Sequence, residues 1–154
     1  MRLPINIRIE TENIQQFIPL LLIGDEQEDM IWKYLPRCTL YVASLGGEDI
    51  AVCAVTIEED GYIEIKNIAV KESFRRQGVG KEMLQHMRER YPQQGIKVGT
   101  GEVPSTMNFY IKCGFTYHSR VTDFFTSNYD HEIIEDGIPL KDMVYFVIPH
   151  LRMR

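Results

Sequence analysis

The sequence predicts an α/β domain with a mixed sheet of about seven strands flanked by about four helices. Residues 37–70 contain three β-rich segments separated by short turns with glycine, which favours consecutive antiparallel strands. Residues 62–101 have the pattern of a strand, a helix and a second strand, a unit whose strands lie parallel with a right-handed crossover. At 154 residues, 44% of them hydrophobic, the chain has the size of one domain, and we expect residues 1–154 to form a single one.

The first part of the chain predicts one strand and two helices. Residues 3–9 alternate apolar and polar side chains, which favours a strand at the edge of the sheet. Residues 11–24 have helical spacing of apolar side chains, and Pro19 predicts a kink or an early break there. Residues 25–34 are predicted to form a short second helix with an acidic start.

The middle of the chain predicts the centre of the sheet. Residues 37–45 and 49–58 are predicted strands joined by a tight Gly46-Gly47 hairpin. Residues 62–70 end on a nearly continuous apolar run and form the predicted central strand. The next helix starts near two glycines and meets no proline before Pro92.

The last third predicts three more strands and one more helix. Residues 96–101 form a short predicted strand, and residues 104–112 form a predicted helix. Residues 115–125 and 140–148 are the last two predicted strands. The acidic connection 126–139 between them is long, and long loops in compact domains are often functional.

The segment between the central strand and its helix predicts an anion site. It consists of Arg75, Arg76, Gln77, Gly78, Val79, Gly80 and Lys81. A helix N-terminus offers unpaired N–H groups and a positive field, glycines allow close backbone approach, and guanidinium groups suit phosphates. The segment is not a Walker loop, because Glu82 follows the lysine, and it lacks the third glycine of a dinucleotide fingerprint.

The pattern Arg/Gln-x-x-Gly-x-Gly/Ala resembles that of the GNAT superfamily of N-acetyltransferases. Asn67-Ile68-Ala69-Val70 before it, and the segment FYIKCGF at 109–115, extend the resemblance. The resemblance implies the acyl-CoA N-acyltransferase fold, with acetyl-CoA as cosubstrate and direct transfer to a primary amine of a small molecule or protein in a ternary complex. It further implies cofactor contacts from the strand backbone at Ile68, Ala69 and Val70 and from all of residues 75–81.

Two catalytic residues are implied by the same resemblance. Glu64 resembles the general-base glutamate of histone-acetylating relatives, although a strand glutamate that faces solvent or pairs with Lys66 or Lys97 is an equal alternative. Tyr110 resembles the tyrosine of a Tyr-x-x-x-Gly-Phe motif, where it is the general acid for the departing thiolate; aromatic packing is the alternative.

One position departs from the family pattern. Many relatives have an asparagine about seven residues before the tyrosine, and this chain has Val103 there. We therefore expect Ser105 or the backbone to supply the pantetheine contact.

The acceptor wall is open to two interpretations. In the family the first two helices form one wall of the acceptor site, and this wall contains the acidic and aromatic residues Glu26, Glu28, Asp29, Trp32 and Tyr34. They could meet a cationic amine. The alternative, which the composition favours, is a solvated acidic helix start with Trp32 packed in the core.

Composition excludes several other functions. A net charge of −5 argues against nucleic acids and membrane surfaces as partners, and no apolar run approaches the roughly 20 residues of a transmembrane helix. The N-terminus lacks a signal-peptide core, so we expect a cytoplasmic protein. The spacing of three cysteines and four histidines predicts neither disulfides nor a metal site.

The sequence leaves two questions open, namely whether the chain is an enzyme or a sensor and whether it forms a homodimer. A non-catalytic acyl-CoA sensor or regulatory module would carry the same cofactor motif as an enzyme. A homodimer is permitted by an exposed edge predicted for the strand at 140–148 and by the basic tail Arg152-Met153-Arg154.

Overall fold

The structure, a computed structural model, describes residues 3–149. Its strands are β1 (Asn6–Glu10), β2 (Thr39–Leu45), β3 (Glu48–Ile57), β4 (Tyr62–Val70), β5 (Gly95–Gly101), β6 (Thr116–Val121), β7 (Ile134–Glu135), β8 (Ile138–Pro139) and β9 (Met143–Ile148). Its helices are α1 (Ile18–Gly24), α2 (Glu28–Trp32), α3 (Val79–Arg90), α4 (Pro104–Lys112) and α5 (Phe124–Asn128).

Seven of the strands form one mixed sheet in the order β1-β2-β3-β4-β5-β9-β6. Only β4 and β5 run parallel, and they pair only over Tyr62–Ile65 and Gly95–Val98. The other neighbours in this sheet are antiparallel, and β7 and β8 form a separate short hairpin. The predicted mixed seven-stranded sheet, with its parallel pair around α3, is confirmed.

A β-bulge at Lys66 changes the direction of the side chains in β4. Ala54 pairs with Asn67 and Val55 with Ile65, so Lys66 is the extra residue of the strand. Before the bulge, Ile65 packs on the face of the sheet that α3 covers. After the bulge, Asn67 and the residue two positions later lie on the opposite face, against α1. The bulge thus turns the end of β4 where the sheet opens.

The sheet is covered by helices on both faces. The larger core lies against α3 and α4 and includes the buried Ile63, Met83, Met87, Tyr110 and Phe115. A second core joins α1 and α2 to the strands β2 to β4. Because each side chain of this kind contributes roughly 1.5–3 kcal/mol when buried, these cores fix the ends of α1, α3 and α4 around the opening in the sheet.

Pro19 breaks the first helix as predicted. The chain makes a 3₁₀ turn at Ile14–Phe17 and continues as α1, with Pro19 in the first turn, where a missing N–H costs no hydrogen bond. The second helix is shorter than the predicted 25–34, since α2 covers only Glu28–Trp32. Helix α4 has the predicted bounds.

The predicted strand 115–125 is wrong in its second half. Strand β6 ends at Val121, and Asp123 takes a left-handed φ of 57° before α5 begins. The carboxylate of Asp142 accepts the Asp123 N–H at 2.8 Å, and the carbonyl of Lys141 accepts the Phe125 N–H at 2.8 Å. These contacts with the start of β9 replace further strand pairing.

The last strand is not at an edge of the sheet. Strand β9 lies between β5 and β6 and pairs with both, so its backbone edges are covered and β6 is the edge strand. The prediction of an exposed edge at 140–148 is therefore wrong, and it gives no support to a homodimer. The basic tail Arg152-Met153-Arg154 lies outside the described residues.

Candidate active site

A cavity of about 640 Å³ opens where β4 and β5 separate. Pairing ends at Ile65 and Val98, so beyond this point the described strands leave one edge of β4 without a neighbour. Backbone N–H and C=O groups freed in this way need hydrogen-bond partners from a ligand or water. The cavity extends from the start of α3, past this edge, to the connection between α1 and α2.

The α3 end of the cavity has the features of an anion site. Gly78 precedes the helix with a φ of 84°, a conformation that glycine adopts without strain. A Cβ at Gly80 would lie 3.2 Å from Cζ of Phe109, so the glycine permits close approach of α3 and α4. The exposed Arg75 and Arg76 line the same end, next to the unpaired amides of the first helical turn.

All predicted cofactor residues except Gln77 line this cavity. They are Ile68, Ala69, Val70, Arg75, Arg76, Gly78, Val79, Gly80, Lys81 and Ser105. The Gln77 amide instead donates to the Ser73 carbonyl at 3.1 Å, which closes the turn before α3. Arg75 Nε donates to the Val70 carbonyl at 3.3 Å and ties the loop to the end of β4.

Tyr110 lies deep in the cavity wall. Its ring stacks on Phe146 at 6.4 Å between centroids and makes edge contacts with Phe109 and Phe115. Burial raises the pKa of Tyr110, so the phenol stays protonated at neutral pH. Its hydroxyl has no hydrogen-bond partner within residues 3–149, and Tyr110 lines the cavity.

Glu64 is placed differently from Tyr110. It faces Lys97 in the paired part of β4 and β5, and its carboxylate lies 3.0 Å from Nζ of Lys66. The cavity is lined by Lys66 and not by Glu64. The ion pair with Lys66 was one of the alternatives left open by the sequence, and a role of Glu64 as base stays a prediction.

Ser105 and Thr106 do not cap α4. Ser105 Oγ donates to Asp136 at 2.6 Å, and Thr106 Oγ1 donates to Glu135 at 3.4 Å, so both hold the β7–β8 hairpin over the start of the helix. Burial raises the pKa of Glu135, which also lines the cavity. Val103, in the position of the family asparagine, is buried and offers no polar side chain.

The far end of the cavity contains a carboxylate that sequence analysis did not select. The Asp25 carboxylate accepts a hydrogen bond from the Tyr129 hydroxyl at 2.7 Å, and both residues line the cavity. Burial raises the pKa of Asp25. These residues are 104 positions apart in the chain, so no local motif could have paired them.

Asn67 joins this end to the sheet. Its Nδ2 donates to the Leu21 carbonyl at 2.8 Å and to the Tyr34 hydroxyl at 3.0 Å. The same Leu21 carbonyl accepts the backbone N–H of Asp25 at 3.0 Å. The buried Oδ1 of Asn67 has no hydrogen-bond partner among residues 3–149 and lies against Gly24.

Of the predicted acceptor-wall residues, only Glu26 lines the cavity. The interpretation that Trp32 packs in the core is wrong, because its side chain is 44% exposed and its Nε1 donates to Glu28 at 3.1 Å. Tyr34 is buried and supports Asn67.

This combination of an opened parallel pair, a glycine-rich helix start and a buried tyrosine is typical of acyl-CoA-dependent N-acyltransferases. Residues 36–117 match the family model for the acetyltransferase (GNAT) domain. The chain belongs to the GNAT family and is an N-acetyltransferase.

Known proteins support this over nearly the whole chain. The chain is 35% identical over 144 residues to the uncharacterized N-acetyltransferase YvbK of Bacillus subtilis (strain 168), covering 91% of this chain and 93% of that protein. A GNAT family acetyltransferase from Elizabethkingia anophelis with acetyl-CoA bound has a TM-score of 0.89 at 30% identity, over 94% of this chain and 97% of that one. An IAA acetyltransferase from Bacillus cereus ATCC 14579 has a TM-score of 0.87 at 36% identity, over 94% and 99%.

Two further findings concern metals and membranes. Within residues 3–149, no group of three or more His, Cys, Asp and Glu side chains is arranged to hold a metal ion. None of the helices described above is both long and apolar enough to cross a bilayer.

Proposed function

We propose that this protein transfers an acetyl group from acetyl-CoA to a primary amine of a small molecule or a protein, directly and within a ternary complex. The observation that carries the proposal is a single cavity with an anion site at one end, the buried Tyr110 hydroxyl inside it and carboxylates at the other end. The acetyl-CoA bound to the Elizabethkingia anophelis relative supports the choice of cosubstrate. A cytoplasmic location stays a prediction from the sequence.

The residues around the opening fit this cosubstrate. Arg75, Arg76 and Lys81, with the amides after Gly78, would hold the pyrophosphate. The unpaired backbone edge at Ile68, Ala69 and Val70 would pair with the pantetheine arm. Ser105 would contact the arm from α4, and Gln77 would keep the loop in shape through its bond to Ser73.

Bound acetyl-CoA would supply a thioester, an activated acyl group. The acceptor ammonium loses two protons, and its nitrogen forms a bond to the acetyl carbon as the carbon–sulfur bond breaks. Tyr110 gives its proton to the sulfur and regains one of those two protons through water, and a base takes the other. Burial raises the pKa of Tyr110, so the phenol carries its proton when the acceptor attacks. We propose that Glu64 accepts the other proton through water, since its carboxylate lies beside the cavity-lining Lys66.

The role of Glu64 has a specific test. Replacement of Glu64 by Gln should lower kcat about tenfold and change the shape of its pH profile, because the variant cannot take up a proton. The measurement is kcat against pH with a fixed amine. If only the ion pair with Lys66 matters, the free energy of unfolding falls and the shape of the pH profile stays as in the wild type.

The anion site is tested by isothermal titration calorimetry with acetyl-CoA and CoA. Arg76→Gln should weaken acetyl-CoA binding roughly tenfold, since a charge-assisted hydrogen bond to phosphate is lost. Arg90→Gln is the matched control, because Arg90 is also exposed but lies at the opposite end of α3.

The outcome decides the proposed function in two steps. If the folded wild-type protein takes up neither acetyl-CoA nor CoA, the proposal is wrong. If it binds both, release of CoA is followed with a panel of primary amines, peptides and IAA, the last chosen from the name of the Bacillus cereus relative. Binding with no CoA release for any acceptor would favour a sensor over this reaction.

A further inference from the structure

The far end of the cavity combines a carboxylate with an apolar wall. The Tyr129 hydroxyl donates a hydrogen bond to the Asp25 carboxylate at 2.7 Å. The ring of the same tyrosine stacks on Phe125, at 5.5 Å between centroids. The charged and the apolar parts therefore meet at one side chain. A ligand that reaches Asp25 also passes along the apolar surface.

The Asp25 carboxylate has no cationic partner in the described part of the chain. It accepts hydrogen bonds from the Tyr129 hydroxyl and from the backbone N–H of Gln27. No Lys, Arg or His among residues 3–149 forms an ion pair with it. The carboxylates of Glu26 and Asp29 lie near enough to add negative potential. A largely buried carboxylate in this environment is stabilised by a cationic ligand.

A second, independent observation comes from Asn67. This side chain is only 4% exposed and lines the cavity, and its Oδ1 is a buried acceptor with no partner in the described chain. The Leu21 carbonyl accepts hydrogen bonds from both Asn67 Nδ2 and the backbone N–H of Asp25. Because Oδ1 is buried against Gly24, it would act on a ligand at Asp25 through its partial negative charge and not by accepting a hydrogen bond.

The apolar wall is a small core of its own. Phe125, Ile133 and Leu140 are 7–8% exposed, pack with Val103 and all three line the cavity. The Leu140 N–H donates to the Ile133 carbonyl at 2.8 Å, and this bond joins the two ends of the β7–β8 hairpin. A flat or branched apolar group would find a preformed surface there.

We propose that the acceptor is a primary amine on an apolar body, whose ammonium group donates to Asp25 while the body packs against Phe125, Ile133 and Leu140. This inference rests on the proposed acetyl transfer and names the class of amine that it uses. It distinguishes such amines from short alkylamines, from diamines with a second charge and from the terminal amines of polar peptides. Asn67 Oδ1 contributes to the negative potential at the ammonium.

The test compares 2-phenylethylamine, ethylamine and 1,4-diaminobutane as acceptors. For the wild type, kcat/KM with 2-phenylethylamine should exceed that with ethylamine by about tenfold or more, because only the former buries a ring on the apolar wall. Asp25→Asn should raise KM for 2-phenylethylamine roughly tenfold, since the acceptor of the ammonium hydrogen bond loses its negative charge. Ile133→Ala should reduce kcat/KM for 2-phenylethylamine by a larger factor than kcat/KM for ethylamine, because only the phenyl ring packs on this side chain.

The controls separate this inference from the reaction itself. Glu28→Gln removes an acid from the same wall that bonds to Trp32 and does not line the cavity, so it should behave as the wild type. The Kd for acetyl-CoA, measured for each variant, should stay within about twofold and reports a folded cofactor site. Equal use of all three amines, or an unchanged KM in Asp25→Asn, overturns the inference and leaves acetyl transfer intact. Loss of acetyl-CoA binding by the wild type overturns the proposed function as well.

Discussion

Replacement of Tyr110 by Phe should lower kcat by about a hundredfold or more, with an acetyl-CoA Kd within about twofold of the wild type. The variant keeps the ring and its contacts with Phe109, Phe115 and Phe146, and removes only the proton donor. Because the hydroxyl has no hydrogen-bond partner in residues 3–149, its removal should change the free energy of unfolding by less than about 1 kcal/mol. The measurement is steady-state release of CoA combined with calorimetry.

Tyr117→Phe provides the matched control. Tyr117 also contacts Phe146, at 6.3 Å between centroids, but it is 57% exposed on the edge strand β6 and does not line the cavity. Its replacement should leave kcat unchanged. A kcat for Tyr110→Phe close to that of the wild type would show that Tyr110 has only a packing role.

Replacement of Gly24 by Ala should be one of the most destabilising single changes in this chain. The added Cβ would lie 2.2 Å from Oδ1 of Asn67 and 3.2 Å from the Ile68 carbonyl. Asn67 cannot move away without breaking its bonds to Leu21 and Tyr34. We expect the free energy of unfolding to fall by about 2 to 4 kcal/mol, measured by denaturant unfolding.

A double-mutant cycle tests the cause. In the Asn67→Ala background the colliding amide is absent, so the same change at Gly24 should cost at least about 1 kcal/mol less than it does in the wild type. An equal cost in both backgrounds would mean that strain elsewhere in α1, and not the contact with Asn67, explains the loss.

Much of the fold is encoded locally and could be predicted. The hairpin between β2 and β3 follows from Gly46 and Gly47, which both have positive φ as a tight hairpin turn requires. Helix α4 starts at Pro104 and is followed by Gly114 at a φ of 96°, standard signals for a helix start and stop. The errors came from long-range contacts. Strand propensity continues to Phe125, but the Asp123 N–H donates to the carboxylate of Asp142, 19 residues later, and the Phe125 N–H donates to the Lys141 carbonyl, and these two bonds favour the helical turn.

The candidate site divides in the same way. The anion end of the cavity lies within one short segment, residues 75–81, and the arginines and glycines of this segment were enough to predict an anion site. The acceptor end depends on Asp25 and Tyr129, which meet only because residues 124–140 return across the cavity. The prediction of a buried Trp32 is wrong because the large apolar ring favours burial, whereas α2 places this side chain on the surface.

The place of β9 in the sheet bears on how the protein is made. Strand β5 forms one side of the cofactor opening, and its outer neighbour, β9, comes after all the other described strands in the order of synthesis. A nascent chain that ends before Met143 would therefore carry two unprotected strand edges, on β5 and on β6, and these are prone to aggregate. We expect ligand binding to begin only after synthesis has passed this strand, so that translation itself delays activity until the sheet is closed.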